Sequence, residues 1–199
     1  MSRRCPAAGV RMLASLLAAS CLGAACASST GLVGAGAPPS ERTQAAPATW
    51  PEGVETFDDL SKEHVRGDID YDMSPPAGGE HSNVWQNCGI YDQPVEDSQA
   101  VHSMEHGAVW ITYRPDLPAQ QVDQLRDLVG GSGYVLLSPY VDLDSPVALS
   151  AWGVQLKVDD AADDRAERFL AEYVNGAQTP EPGAPCTGGV GEPLTPSAT

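Results

Sequence analysis

The chain has 199 residues, of which 27 are acidic and 11 basic, for a net charge of −16. Such a balance excludes nucleic acid as a partner, because phosphate recognition rests on Lys and Arg clusters that are missing here. It leaves a surface that repels anionic headgroups and gathers cations, without saying which cation.

Residues 1–26 read as an export signal, with Arg3, Arg4 and Arg11 around the start of an apolar run, Met12 to Ala19, and small residues after it. The run is shorter than the ~20 apolar residues that a membrane-spanning helix needs. Cys21 follows Leu17-Ala18-Ala19-Ser20 and Cys26 follows Gly23-Ala24-Ala25, and each context resembles the acylated first cysteine of a bacterial lipoprotein. Removing the leader takes away three arginines and leaves 8 basic against 27 acidic residues, a net −19. The expectation is an exported chain, either secreted or held on the outer face of the cytoplasmic membrane through a lipid anchor only.

Residues 27–52 are rich in Ala, Ser, Gly and Pro without apolar periodicity, which predicts a flexible tether. A single globular domain is expected over 53–188, near the usual domain size, and a disordered tail over 189–199. Beyond the leader only Cys88 and Cys186 remain. An even pair in an oxidising compartment predicts a disulfide. Two thiolate metal ligands are the rival, weakened by the lack of a C-x-x-C spacing.

The first half of the domain reads as loop-rich, and Ser74-Pro75-Pro76-Ala77-Gly78-Gly79 excludes both a helix and a central strand. Residues 108–113 are β-branched and aromatic, as in a buried strand. Arg114 to Pro118 turns the chain into a helix carrying Val122, Leu125, Leu128 and Val129 at helical spacing, stopped by Gly130-Gly131. Residues 134–137 form a second strand, and 147–152 and 154–158 two more joined at Gly153. Asp160 opens a last helix with Ala166, Phe169, Leu170, Tyr173 and Val174 on its apolar face. The predicted fold is α+β, a mixed sheet of about four strands covered by two helices, with a hairpin-and-helix ending that resembles thioredoxin-like folds.

The chemistry concentrates in His102-Ser103-Met104-Glu105-His106. All four histidines, His64, His81, His102 and His106, fall within one stretch of the chain, and neutral imidazole is the commonest protein metal ligand. On a helix, His102, Glu105 and His106 share a face and form a zinc-type ligand set. In an extended segment, His102, Met104 and His106 share a face instead, and thioether with imidazole suits copper. Met104 and the exported compartment favour copper. His81 and His64 complete either arrangement.

The residues also resemble a bacterial domain-of-unknown-function family, number 3105 in that series. The matching segments are His64-Val65, Pro75-Pro76-x-x-Gly79-x-His81, Trp85, Cys88-Gly89-x-Tyr91, the run from Val101 to Tyr113, Leu137-Ser138-Pro139-Tyr140 and Gly183-Ala184-Pro185-Cys186. Where the family usually has Thr-Ser-Gly-Pro-His, this chain has Ala77-Gly78-Gly79-Glu80-His81. The resemblance spans about residues 55 to 188 and implies an envelope context, with no agreed activity.

The site itself therefore suggests an envelope domain binding copper or zinc. Histidines that merely hold the loop-rich half, in a module that contacts another envelope protein, are the alternative. A third reading is a hydrolase of the H-x-x-E-H type, with Glu105 as base and Glu167 or Glu172 as a further ligand. It is disfavoured because Gly107 ends any helix directly after the motif.

Overall fold

The computed structural model describes residues 51–194. The leader, Cys21, Cys26, nearly all of the tether and the last five residues lie outside them.

The described chain runs β1 (Val54–Thr56), β2 (His64–Val65), β3 (His81–Ser82), β4 (Gly89–Ile90), α1 (Asp97–Glu105), β5 (Val109–Tyr113), α2 (Ala119–Val129), β6 (Val135–Pro139), β7 (Val147–Ala151), β8 (Val154–Val158) and α3 (Asp164–Tyr173). Six strands form one sheet in the order β1-β8-β7-β5-β6-β4, and β2 and β3 form a separate parallel pair. On one side of β5 the partners are parallel, β6 and then β4. On the other they are antiparallel, β7, β8 and β1. The parallel β5–β6 pair needs a crossover, and α2 supplies it.

The fold is α+β, with two strands more than expected in the main sheet, the separate β2–β3 pair beside it, and one more helix. The reasons are local. β1 and β4 are only three and two residues long, too short to display a period of two. In α1 the residues Ser98, His102, Ser103 and Glu105 are as buried as Ala100, Val101 and Met104, so no apolar stripe marks the helix. The hairpin and closing helix behind the thioredoxin-like expectation are present.

Side chains alternate across β5 as the pleat requires. Val109, Ile111 and Tyr113 meet Leu125 and Val129 of α2 and Ala166, Phe169 and Tyr173 of α3 in one apolar cluster. Trp110 faces the other way, into a second cluster with Val101 and Met104 of α1, Leu136 and Trp152. Helices thus cover both faces of the sheet, and α1 lies on the face where the histidines gather.

The last helix begins at Asp164, not Asp160. Asp163 caps it, its Oδ1 accepting from Arg165 N at 2.9 Å, while Asp160 accepts from Ala162 N in the turn before. The Arg165 guanidinium returns onto the same carboxylate at 2.6 Å and holds its pKa below the usual range. A carboxylate with a lowered folded-state pKa stabilises fully above its unfolded value and loses that contribution as pH falls through the folded one. Asp163→Ala is therefore expected to cost ~1 kcal/mol at neutral pH. The gap to wild type should narrow as pH falls below the ordinary carboxylate range and through the lowered folded-state value, as thermal denaturation at neutral and at acidic pH will read.

Two features position the site. The Pro/Gly loop before β3 is stitched to the β7–β8 hairpin, since Gly153 N donates to Ala77 O at 2.7 Å and Gln155 Nε2 to Pro75 O at 3.0 Å. Gly78 there has φ 129°, a conformation that L side chains rarely adopt, and a Cβ would crowd Leu60 Cδ1 at 2.7 Å, so a substitution would be strained. The second feature is a Cys88–Cys186 disulfide, Cα–Cα 5.4 Å, which fastens the late chain to β4. The segment expected to be a free tail lies along the domain as far as Leu194, with Val190 bridging Gln86 and Leu194 bridging Ile90. Among the described residues no helix is long and apolar enough to cross a membrane.

Candidate metal centre

The motif sits at the C-terminal end of α1, with His102 in the last turn, Glu105 as the final residue and His106 as the C-cap. The helix stops there because Gly107 has φ 109° and closes a Schellman motif, Gly107 N donating to Met104 O and Ala108 N to Ser103 O, both at 3.0 Å. Residues on opposite sides of the loop-rich half join it through the β2–β3 register, in which His64 pairs directly with His81.

The four side chains converge. Glu105 Oε2 lies 3.0 Å from His81 Nε2, 3.5 Å from His64 Nε2 and 3.9 Å from His102 Nε2. One ligand atom from each of these four residues fits within 4.8 Å of the others. Two atoms bound tetrahedrally to one ion at zinc-like bond lengths stand roughly 3.3–3.5 Å apart, so little movement would seat an ion among them. His81, His102 and Glu105 are buried, and His64 is 41% exposed at its side chain.

The outer hydrogen bonds orient the rings. Backbone carbonyls only accept, so Nδ1–H donates from His81 to Gly79 O (2.8 Å), from His102 to Ser82 O (2.7 Å) and from His106 to Pro185 O (2.7 Å). With hydrogen on Nδ1, each neutral ring turns an Nε2 lone pair inward, the tautomer and orientation that metal-binding histidines are given by their outer contacts. Burial pushes the His102 pKa down to about 4, assisted by His106, His81 and His64 and opposed by the Ser82 carbonyl. His102 is accordingly neutral, the ligand form, at neutral pH. The nearby end of α1 adds the partial negative charge of a helix C-terminus, which favours a cation.

The Nε2 atoms of His102 and His106 face each other at 3.0 Å. A hydrogen on one of the two would bond them, and a cation beside them would take a lone pair from either ring. Trp85 walls this end, its ring centroid 5.1 Å from that of His106 and 5.7 Å from that of His102.

The structure brings His64, His81, His102 and Glu105 together and places His106 in a neighbouring group with Glu105 and Glu181. Met104 does not join them. The backbone is helical, not extended, so Met104 points into the apolar cluster with Val101, Trp110 and Leu136. The argument for copper that rested on its thioether falls with that. Glu167 and Glu172 are exposed on α3 and belong to neither group. Cys88 and Cys186 are joined to each other and are not ligands. Sequence reasoning missed Glu181 and the carbonyls of Gly79, Ser82 and Pro185. Only the disulfide expectation pointed toward the late chain, by bringing Cys186 near β4.

A family model described as "Protein of unknown function (DUF3105)" matches residues 64–188. No curated protein and no solved structure matches the chain.

Proposed function

We propose that this chain, which belongs to the DUF3105 family, is an envelope protein that binds a transition-metal ion through His64, His81, His102 and Glu105. The observation that carries the reading is the pairing of inward Nε2 atoms with Nδ1 groups tied to backbone carbonyls around one carboxylate. Histidines kept only for packing have no need to aim three Nε2 atoms at one buried carboxylate oxygen. Three imidazoles and a carboxylate make a borderline set that suits Zn²⁺ or Cu²⁺, whereas Cu⁺ prefers the sulfur ligands that are elsewhere.

Binding is favoured over hydrolysis. In an H-x-x-E-H hydrolase the Glu stands off the metal as a base, and here Glu105 Oε2 lies within 3.0–3.9 Å of three ligand nitrogens, in a ligand position. The half-exposed His64 gives the ion a route in and out. In this proposal the leader is removed, Cys21 or Cys26 is acylated, and the acidic domain works on the outer face of the membrane, taking up cations and passing them to an envelope partner.

Metal analysis of the purified protein tests this. Wild type is expected to retain Zn²⁺ or Cu²⁺ after dialysis. His81→Ala and His102→Ala should each lose it, with affinity down about 100-fold or more. Wild type with no bound metal and no affinity for either ion in titration would overturn the proposal.

A further inference from the structure

Glu105 belongs to two ligand groups, not one. The second comprises Glu105, His106 and Glu181, whose ligand atoms also fit within 4.8 Å of one another. We propose that the centre holds two divalent transition-metal ions bridged by the Glu105 carboxylate: a buried first ion on His64, His81 and His102, and a second on His106 and Glu181. The inference rests on the metal-binding reading above and deepens it.

Three observations carry it. The approaches of His64, His81 and His102 to Glu105 are all made to Oε2, which leaves Oε1 for another partner. His106 is buried and oriented by Pro185 O like the other ligand rings, yet it stands outside the first group. Its Nε2 points at that of His102 from 3.0 Å, and separate ions at about 2.1 Å from each nitrogen would give each ring a bond of its own.

Glu181 is not there by chance of an exposed loop. Its backbone N donates to Glu105 O at 2.9 Å, and the loop is held by Asn175 N on Gly107 O and Gly183 N on Asn175 Oδ1, both at 2.9 Å. The late chain thereby closes over the end of α1, and Glu181 Oε2 reaches to 4.0 Å from His106 Nε2. Its side chain is 58% exposed, so the second ion faces solvent. Two carboxylates and one imidazole are a harder set than the first, and water would fill the remaining positions. The second ion should be the weaker and more exchangeable of the two.

The test is stoichiometry of the full-length, chelator-stripped protein titrated with Zn²⁺, with Co²⁺ absorption as a second readout. Wild type should bind two equivalents, the second more weakly. Glu181→Gln should bind one, with the affinity of the first ion changed less than about threefold, and His64→Ala should weaken the tighter ion while keeping the Glu181-dependent one. One equivalent in wild type, or no change in stoichiometry on Glu181→Gln, overturns the two-ion centre and leaves single-ion binding standing. No binding at all overturns both.

Discussion

Glu105→Gln is expected to lower affinity for the tighter ion about 100-fold or more while leaving the metal-free protein as stable as wild type, or slightly more so. In the metal-free molecule a carboxylate only 3% exposed stands 3.0 Å from His81 Nε2 and 3.9 Å from His102 Nε2. Where the rings carry hydrogen on Nδ1 alone, bonded to Gly79 and Ser82, negative charge meets electron density, and burial makes that worse; a second hydrogen on His81 Nε2 would instead donate to Glu105. A glutamine amide in the same place offers two N–H donors to those nitrogens. It removes a ligand and cures a local conflict in one change.

A cluster kept only for structure predicts the opposite sign. There Glu105 would stabilise through charge-assisted hydrogen bonds, and Gln would cost about 1.5–3 kcal/mol. Thermal denaturation in chelator, beside calorimetric titration with Zn²⁺, separates the two. In wild type, Zn²⁺ at a hundred times Kd should add about 2.7 kcal/mol to stability, and in Glu105→Gln that gain should fall to about 0.4 kcal/mol or less at the same concentration. A variant that loses stability but keeps its affinity would return the cluster to a structural role.

Removing the disulfide, by Cys88→Ser together with Cys186→Ser, should produce the largest change in stability. The bridge joins residues 98 apart, and closing so long a loop in the unfolded chain contributes about 4–5 kcal/mol in the chain-entropy model. For a domain of this size that lowers Tm by roughly 10–18 °C. The loss should also reach the metal centre unevenly. Pro185, next to Cys186, supplies the carbonyl that orients His106, and Glu181 lies on the same strap. The second ion should weaken 10- to 100-fold, as when an orienting contact is lost. The first ion, whose rings are oriented by Gly79 and Ser82, should change far less. A Tm within a few degrees of wild type would mean that the late chain is held by its other contacts.

The legible parts of this chain were those where one interaction dominates over several residues. Residues 109–113 alternate between two apolar clusters, so their composition alone marked a buried strand. Leu125 and Val129 repeat at helical spacing on α2, and Gly130 ended that helix where the Gly130-Gly131 stop was expected, in the left-handed conformation at φ 53°. The pairing of Cys88 with Cys186 followed from there being two cysteines left to pair. His102, Glu105, His81 and His64 could be named as ligands because imidazole and carboxylate are the donors that metals take.

What tertiary structure alone decided was which of those donors meet, and on what backbone. The helical course of α1 comes from burial against Trp110 and Leu136, a contact that no window of local sequence contains, and it took Met104 out of the site. His64 reaches His81 only through a two-residue parallel register, and Glu181 reaches His106 only because the disulfide and the Asn175 strap fold the late chain back over α1. Residue chemistry is local and can be read in order along the chain. Convergence depends on long-range packing, and here it turned a list of possible ligands into a buried cluster with a second, exposed edge.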